Sequence, residues 1–229
     1  MRLLREYIRN LLQEQASSNS LVVVDVQPEY EHGVPFDIED MLRSASDDYS
    51  RVLFLYNGSS LGMTSEDALR DFYYEKLERH FLPGENAVFN EMWKELMSKS
   101  TFFDKGYGFF RDVMDSDICF DYNSIVKIVK YMIDNYVPDI RDLHEEDIEA
   151  IGVSELLFED LEDYGFWIPE LEEILPKWNG SDIAGGARNE CLAEVEILGD
   201  AQGLRFNQVD QFIYEGVTRY TEKVLTETD

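Results

Sequence analysis

The sequence predicts an α/β protein with a mainly parallel sheet and helices on both faces. Three observations predict it. Leu21–Val26 (LVVVDV) and Arg51–Tyr56 (RVLFLY) are β-branched and aromatic runs of the kind a parallel sheet buries on both sides. Strand-like runs alternate with stretches of helical period along the chain. Asp25, Lys105 and Cys191 each stand just after such a run, at the strand ends where open parallel sheets bind ligands.

Composition sets the frame. The 229 residues form one domain, 1–229, and the 44% hydrophobic and 13% aromatic content fills a substantial core. Two cysteines, Cys119 and Cys191, fit a reducing compartment and no disulfide framework, so a cytoplasmic location is expected. No apolar run approaches a membrane span. The first fifteen residues carry apolar positions at helical spacing (Leu4, Ile8, Leu11) and read as an amphipathic helix rather than a secretory signal. The net charge of −28 argues against nucleic acid as a partner, because phosphates would be repelled. It serves solubility, reflects a salty cytoplasm, or presents an acidic face to a basic protein; composition does not separate these.

The elements follow in order. After the LVVVDV strand, Phe36–Ala45 reads as a helix capped by Asp37. Ser65–Phe81 is a helix capped by Ser65, with Glu66 and Asp67 in its first turn. Asn90–Lys99 is a further helix, and Ser100–Asp104 (STFFD) a third strand. Gly106–Met114 returns to a helical pattern. Residues 116–165 read as a helical insertion or cap of acidic character. Asn123–Tyr136 carries an apolar stripe there, Asp142 to Glu145 suggests a capping box, and Glu155–Tyr164 is acidic and helical. Pro169–Trp178 is a helix with proline in its first turn, Leu204–Tyr214 a strand, and Gly216–Asp229 a polar end.

Ile183–Leu198 (IAGGARNECLAEVEIL) bears the most chemistry. A short apolar run meets Gly185 and Gly186, and a helix pattern follows with Cys191 in its first turn. N–H groups at a helix start lack intrahelical acceptors, and the dipole there favours a thiolate. Cys191 reads either as a nucleophile beside oxyanion donors or as a small residue packing a helix onto the sheet.

Three ordered motifs resemble the isochorismatase-like cysteine hydrolases, the superfamily of nicotinamidases and related amidohydrolases. They are the strand running into Asp25-Val26-Gln27; Phe103-Asp104-Lys105-Gly106-Tyr107-Gly108-Phe109; and Gly185-Gly186-Ala187-Arg188-Asn189-Glu190-Cys191. A helix ending at Ala201-Gln202-Gly203 and a strand follow, as in that family. The match covers the strands but not residues 58–99 or 116–165. It implies a Rossmann-like three-layer fold and a Cys-Asp-Lys triad acting on a C–N bond of a small molecule. Cys191 would attack a carbonyl, Asp25 would take the thiol proton and pass it to the leaving amine, and Lys105 would hold Asp25. Backbone N–H groups from Ala187 to Cys191 would form an oxyanion hole, in a loop that often contains a cis peptide. Gln27, Tyr107, Gly186, Ala187 and Arg188, in or beside the motifs, are the substrate-contact candidates. The resemblance also makes a homo-oligomer plausible.

The chain departs from that pattern. Nicotinamidases carry an Asp-x-His-x-x-His metal motif after the second strand, whereas here Asn57-Gly58-Ser59-Ser60-Leu61-Gly62-Met63 holds no histidine. His32, His80 and His144 are scattered, so no metal and no other cofactor is expected. Arg188 reads as a substrate clamp or as the partner of Glu190, Glu194 or another acid. Glu194, one turn on from Cys191, either opposes the thiolate or binds an amine or hydroxyl of the substrate. Three functions therefore compete: a small-molecule hydrolase, a catalytically silent acidic binding module, and an enzyme using the same thiol for other chemistry.

Overall fold

The computed structural model describes residues 19–58, 65–82, 84–106, 122–154, 158–159, 161–162, 165, 167–188 and 190–215. Five strands form one all-parallel sheet: β1 (Ser20–Val24), β2 (Arg51–Tyr56), β3 (Ser100–Asp104), β4 (Asp182–Gly186) and β5 (Asn207–Tyr214). Their spatial order is β3-β2-β1-β4-β5. Val22 of β1 lies opposite Leu53 of β2 and Ile183 of β4. The β4–β5 register shifts between Ile183 and Gly185, so β5 bulges there. A parallel sheet wound outward in both directions from β1 and covered by helices is an α/β fold.

Strand alternation makes two cores, because successive side chains point to opposite faces. On one face, Val22, Val24, Leu53 and Leu55 meet α4 (Tyr122–Asn135) and α7 (Cys191–Ala201). On the other, Val23, Val52 and Phe54 meet α1 (Ile38–Asp47), α2 (Glu66–Glu78) and α3 (Asn86–Lys99). Helices α1 and α2 start where expected: Asp37 accepts the Glu39 N–H at 2.9 Å, and Ser65 accepts the Ala68 N–H at 3.1 Å. Helix α3 starts at Asn86, four residues before the expected Asn90. The carbonyl of Glu85 accepts from Val88 and Phe89, and Phe89 is core.

Within the 116–165 stretch, α4 carries Ile125, Ile128, Val129, Met132 and Ile133 into the same core as Val22 and Leu53, joined by Phe158 and Leu161. The described part of the region expected as an insertion or cap thus lines the sheet-face core. The capping box is displaced from its expected place. Asp142 closes a 3-10 turn, Ile140–Asp142, and Asp147 accepts the His144 N–H at 2.8 Å to start α5 (Glu145–Ile151). The expected helix Pro169–Trp178 is two pieces, α6 (Leu171–Ile174) and a 3-10 turn, Leu175–Trp178, because Pro176 lacks the N–H that would continue the α-helical ladder. The N-terminal helix, the Gly106–Met114 pattern beyond Gly106, Cys119 and the C-terminal fourteen residues lie outside the described residues. Among the described residues no helix is long and apolar enough to cross a membrane.

Candidate active site at the sheet's switch point

The strand order reverses direction between β1 and β4, and a crevice opens outside the carboxyl ends at such a point. Asp25 follows β1 there. Its N–H donates to the Leu55 carbonyl at 2.9 Å, and its φ is 48°, in the left-handed region that aspartate tolerates better than most residues. The alternation of β1 therefore stops at Asp25, whose carboxylate is fully buried. Lys105 follows β3, its N–H donating to the Tyr56 carbonyl at 2.9 Å. Its long side chain reaches back across the end of β2, and Nζ stands 3.0 Å from Oδ2 of Asp25. Cys191 is the first residue of α7 and is partly exposed.

Gly185 makes this closeness possible. Its φ is +97°, and a Cβ there would stand 2.1 Å from the Val24 carbonyl oxygen, so no other residue fits. A Cβ on Gly186 would meet the ring of Tyr214 at 2.5 Å. The peptide between Gly186 and Ala187 is cis.

Glu194 completes the cluster. Its Oε2 lies 3.4 Å from Lys105 Nζ, and both side chains are buried. One ammonium thus serves two carboxylates beside a thiol. Burial alone would lower the pKa of Lys105, but Asp25, Cys191 and Glu194 raise it well above the ordinary lysine value. Burial pushes the Cys191 thiol well above its ordinary value; Asp25 and Glu194 add to that, and Lys105 only partly opposes them. Desolvation and two carboxylates thus oppose the thiolate that the helix start favours, and one ammonium only partly offsets them.

The other candidate residues divide. Ala187 is buried next to the cluster, and its carbonyl accepts from Glu190 and Leu192. The Arg188 N–H donates to the Tyr214 carbonyl at 2.8 Å, so Arg188 and Glu190 spend their N–H groups within the fold and are not oxyanion donors. The guanidinium of Arg188 bonds Gln208, Asp210 (2.9 Å) and Glu215 (3.0 Å), which places it on β5 and its end. This is the pairing alternative, with different acids from Glu190 and Glu194. Gln27 is buried, accepts the Asn57 N–H at 2.9 Å and donates to Glu29 at 3.0 Å; it ties the end of β1 to the end of β2. Tyr107 lies outside the described residues.

Three contributors escaped the sequence. Tyr214, at the end of β5, packs on Gly186 and reaches the Asp25 carbonyl through its hydroxyl at 3.4 Å. Tyr73 of α2 is buried and donates to the Val26 carbonyl at 2.7 Å, holding the chain just past Asp25. Asp104 accepts from Gly58 (3.0 Å) and Gly106 (2.9 Å), linking the turns after β2 and β3. Only a residue's position at a strand end hinted at Tyr214 and Asp104; nothing local marked Tyr73.

Among the described residues one group has metal-ligand geometry. Single ligand atoms of Asp37, Glu39 and His80 lie within 4.8 Å of one another. Glu39 is already paired with Arg43 at 2.5 Å and with His80 at 2.5 Å, and Asp37 caps α1, so these groups satisfy one another. Comparison of the chain with models of known families, with curated proteins and with solved structures gave no match.

Proposed function

We propose that the chain is an isochorismatase-like cysteine hydrolase that cleaves an amide-type C–N bond of a small molecule through Cys191, Asp25 and Lys105. One observation carries the reading: a buried Asp25–Lys105 ion pair of 3.0 Å faces the Cys191 thiol at the switch point of a parallel sheet. A neutral thiol needs a base close to it, and Asp25 supplies one. As the sulfur attacks the carbonyl carbon, its proton passes to Asp25. The oxyanion is received by the N–H of Cys191 at the start of α7. Collapse expels the amine, which takes the proton from Asp25 and leaves an acyl group on the sulfur. Water, deprotonated by Asp25, then releases the carboxylic acid and restores the thiol. Lys105 holds Asp25 in place between these transfers.

The described site side chains hold two carboxylates against one ammonium, and Arg188 is committed to β5. The substrate is accordingly neutral or cationic at its reacting end. The protein works in the cytoplasm, without a metal or other cofactor, and self-association fits the resemblance. The test is turnover of a panel of neutral and amine-bearing amides, with release of ammonia or amine as the readout. Turnover that Cys191→Ala and Asp25→Asn both remove supports the reading; turnover that survives Cys191→Ala overturns it.

A second reading draws on Glu194. A carboxylate that keeps the thiol protonated suits a catalytically silent relative, an acidic module for a basic protein. Under that reading no amide is turned over, and a polycationic peptide binds in a salt-sensitive way.

A further inference from the structure

At the opposite end of the sheet, a cavity of about 650 Å³ opens between the starts of β2 and β3 and the 3-10 turn Leu175–Trp178. Arg51, Lys99 and Lys177 line it, with the hydroxyl residues Ser50, Ser98, Ser100 and Thr101. Among the described residues no acidic side chain lines it, in a chain with 48 acids and only 20 lysines and arginines. Such a local reversal of sign needs a reason, because scattered cations in an acidic protein meet carboxylates by default.

The three cations are held differently. The Arg51 guanidinium lies over the Trp178 ring, 4.2 Å from its centroid, and donates to the Lys177 carbonyl at 2.9 Å. Those contacts fix its plane and leave further N–H groups for a ligand. Lys99 bonds the Ser46 carbonyl and stands 3.6 Å from the exposed Glu95. Lys177 makes no ion pair among the described residues, and its side chain is on the surface. A fixed guanidinium, an anchored ammonium and a free one around a group of hydroxyls match the acceptors of a phosphate. Charges elsewhere on the molecule, beyond about 8 Å, are screened at physiological salt, so the local excess governs.

We propose that this cavity binds a phosphate group, either as the free ion or as part of a small phosphorylated molecule. Its volume exceeds a phosphate and falls within the range of small-molecule sites. The site is separate from the Cys191 cluster and does not depend on the hydrolase reading.

Calorimetric titration of the full chain at physiological salt with inorganic phosphate, adenosine 5′-monophosphate and adenosine tests it. Binding of either phosphate probe, and none of adenosine, supports the proposal. Binding of the nucleotide alone or tighter than phosphate points to a phosphorylated organic molecule, and equal binding to the free ion. Lys177→Gln should weaken the phosphate probes about tenfold, the worth of one charge-assisted contact. Lys177→Arg should restore them. Lys177 is exposed and makes no ion pair among the described residues, so neither variant should disturb folding, which circular dichroism verifies; Lys99→Gln provides an independent loss. Absence of binding at millimolar probe, equal binding of adenosine, or undiminished binding in both glutamine variants overturns the site.

Discussion

The two ends of the sheet use lysine in opposite ways. At the carboxyl end, Lys105 is out of water and its ammonium is shared by Asp25 and Glu194. At the amino end, Lys177 is in water and pairs with nothing described. Buried charges interact strongly but depend on every partner being present, since desolvation of each is costly. A solvated charge costs nothing to keep and contributes little until a ligand arrives. The buried end is suited to holding a proton inventory in place, the open end to reversible capture. Substitutions at the two ends should therefore differ in kind as well as in size.

The largest contrast is in turnover. Cys191→Ala should reduce hydrolysis of any accepted amide by roughly a thousandfold or more, since loss of a nucleophile removes the covalent route. Its cost in stability should be only about 1–2 kcal/mol, the loss of one small sulfur. Lys177→Gln should change neither. If initial-rate assays find turnover in Cys191→Ala at the wild-type rate, the buried end is not a nucleophilic site.

Next comes stability. Lys105→Met leaves two carboxylates buried without their counter-ion, and removal of one partner of a buried pair costs about 3–5 kcal/mol. Lys177→Gln should cost under about 0.5 kcal/mol, as surface substitutions do. Urea denaturation of both variants measures the gap. Equal midpoints would mean that water reaches the Lys105 cluster and that the two ends do not differ in the way argued.

The strand pattern was legible because the parallel sheet imposes it: β2 and β3 run over the residues expected, and the caps Asp37 and Ser65 act where their spacing places them. Local signals sufficed for these. The meeting of Asp25 with Lys105 was legible only through the general rule that ligand sites gather at strand ends, and through the motif resemblance. Pairing choices were less legible. Arg188 had many acids to choose from, and its choice of Asp210 and Glu215 depends on the β4–β5 register shift, which no local sequence feature encodes. The direction of the Cys191 shift was also hidden. It is decided by desolvation and by Asp25, with Glu194 turning inward to add to them, all properties of the packed state.

Glu194→Gln sharpens that last point. It removes one of the two carboxylates that oppose ionisation of the thiol and leaves Lys105 and Asp25 in place. For wild type, carbamidomethylation of Cys191 by iodoacetamide should be slow near neutrality and rise only at alkaline pH, beyond the ordinary cysteine range. In Glu194→Gln the profile should move to lower pH, because the anionic sulfur meets less negative charge. Peptide mapping by mass spectrometry keeps Cys191 separate from Cys119. A profile that stays in place, or moves upward, would mean that Glu194 does not act on the sulfur.

The smallest expected effect on turnover near the site is at Arg188, and it tests whether the open and buried ends divide the chain's cations between them as described. Three side chains of β5 and its end hold this guanidinium, and its own side chain is one-quarter exposed against largely exposed carboxylates. Ion pairs of that exposure contribute about 0–1 kcal/mol each. Arg188→Gln should therefore lower stability by about 1 kcal/mol and leave the Cys191 labelling profile unchanged, since its guanidinium is held by Gln208, Asp210 and Glu215 rather than by the Cys191 cluster. With an accepted amide in hand, KM and kcat should both stay within about twofold of wild type, because no interaction with the reacting substrate has been removed. The informative failure is specific. If KM rises tenfold at constant kcat, Arg188 leaves Asp210 and Glu215 when substrate binds and clamps it directly. The site would then hold a cation beyond Lys105, and carboxylate-bearing amides would join the substrates it accepts.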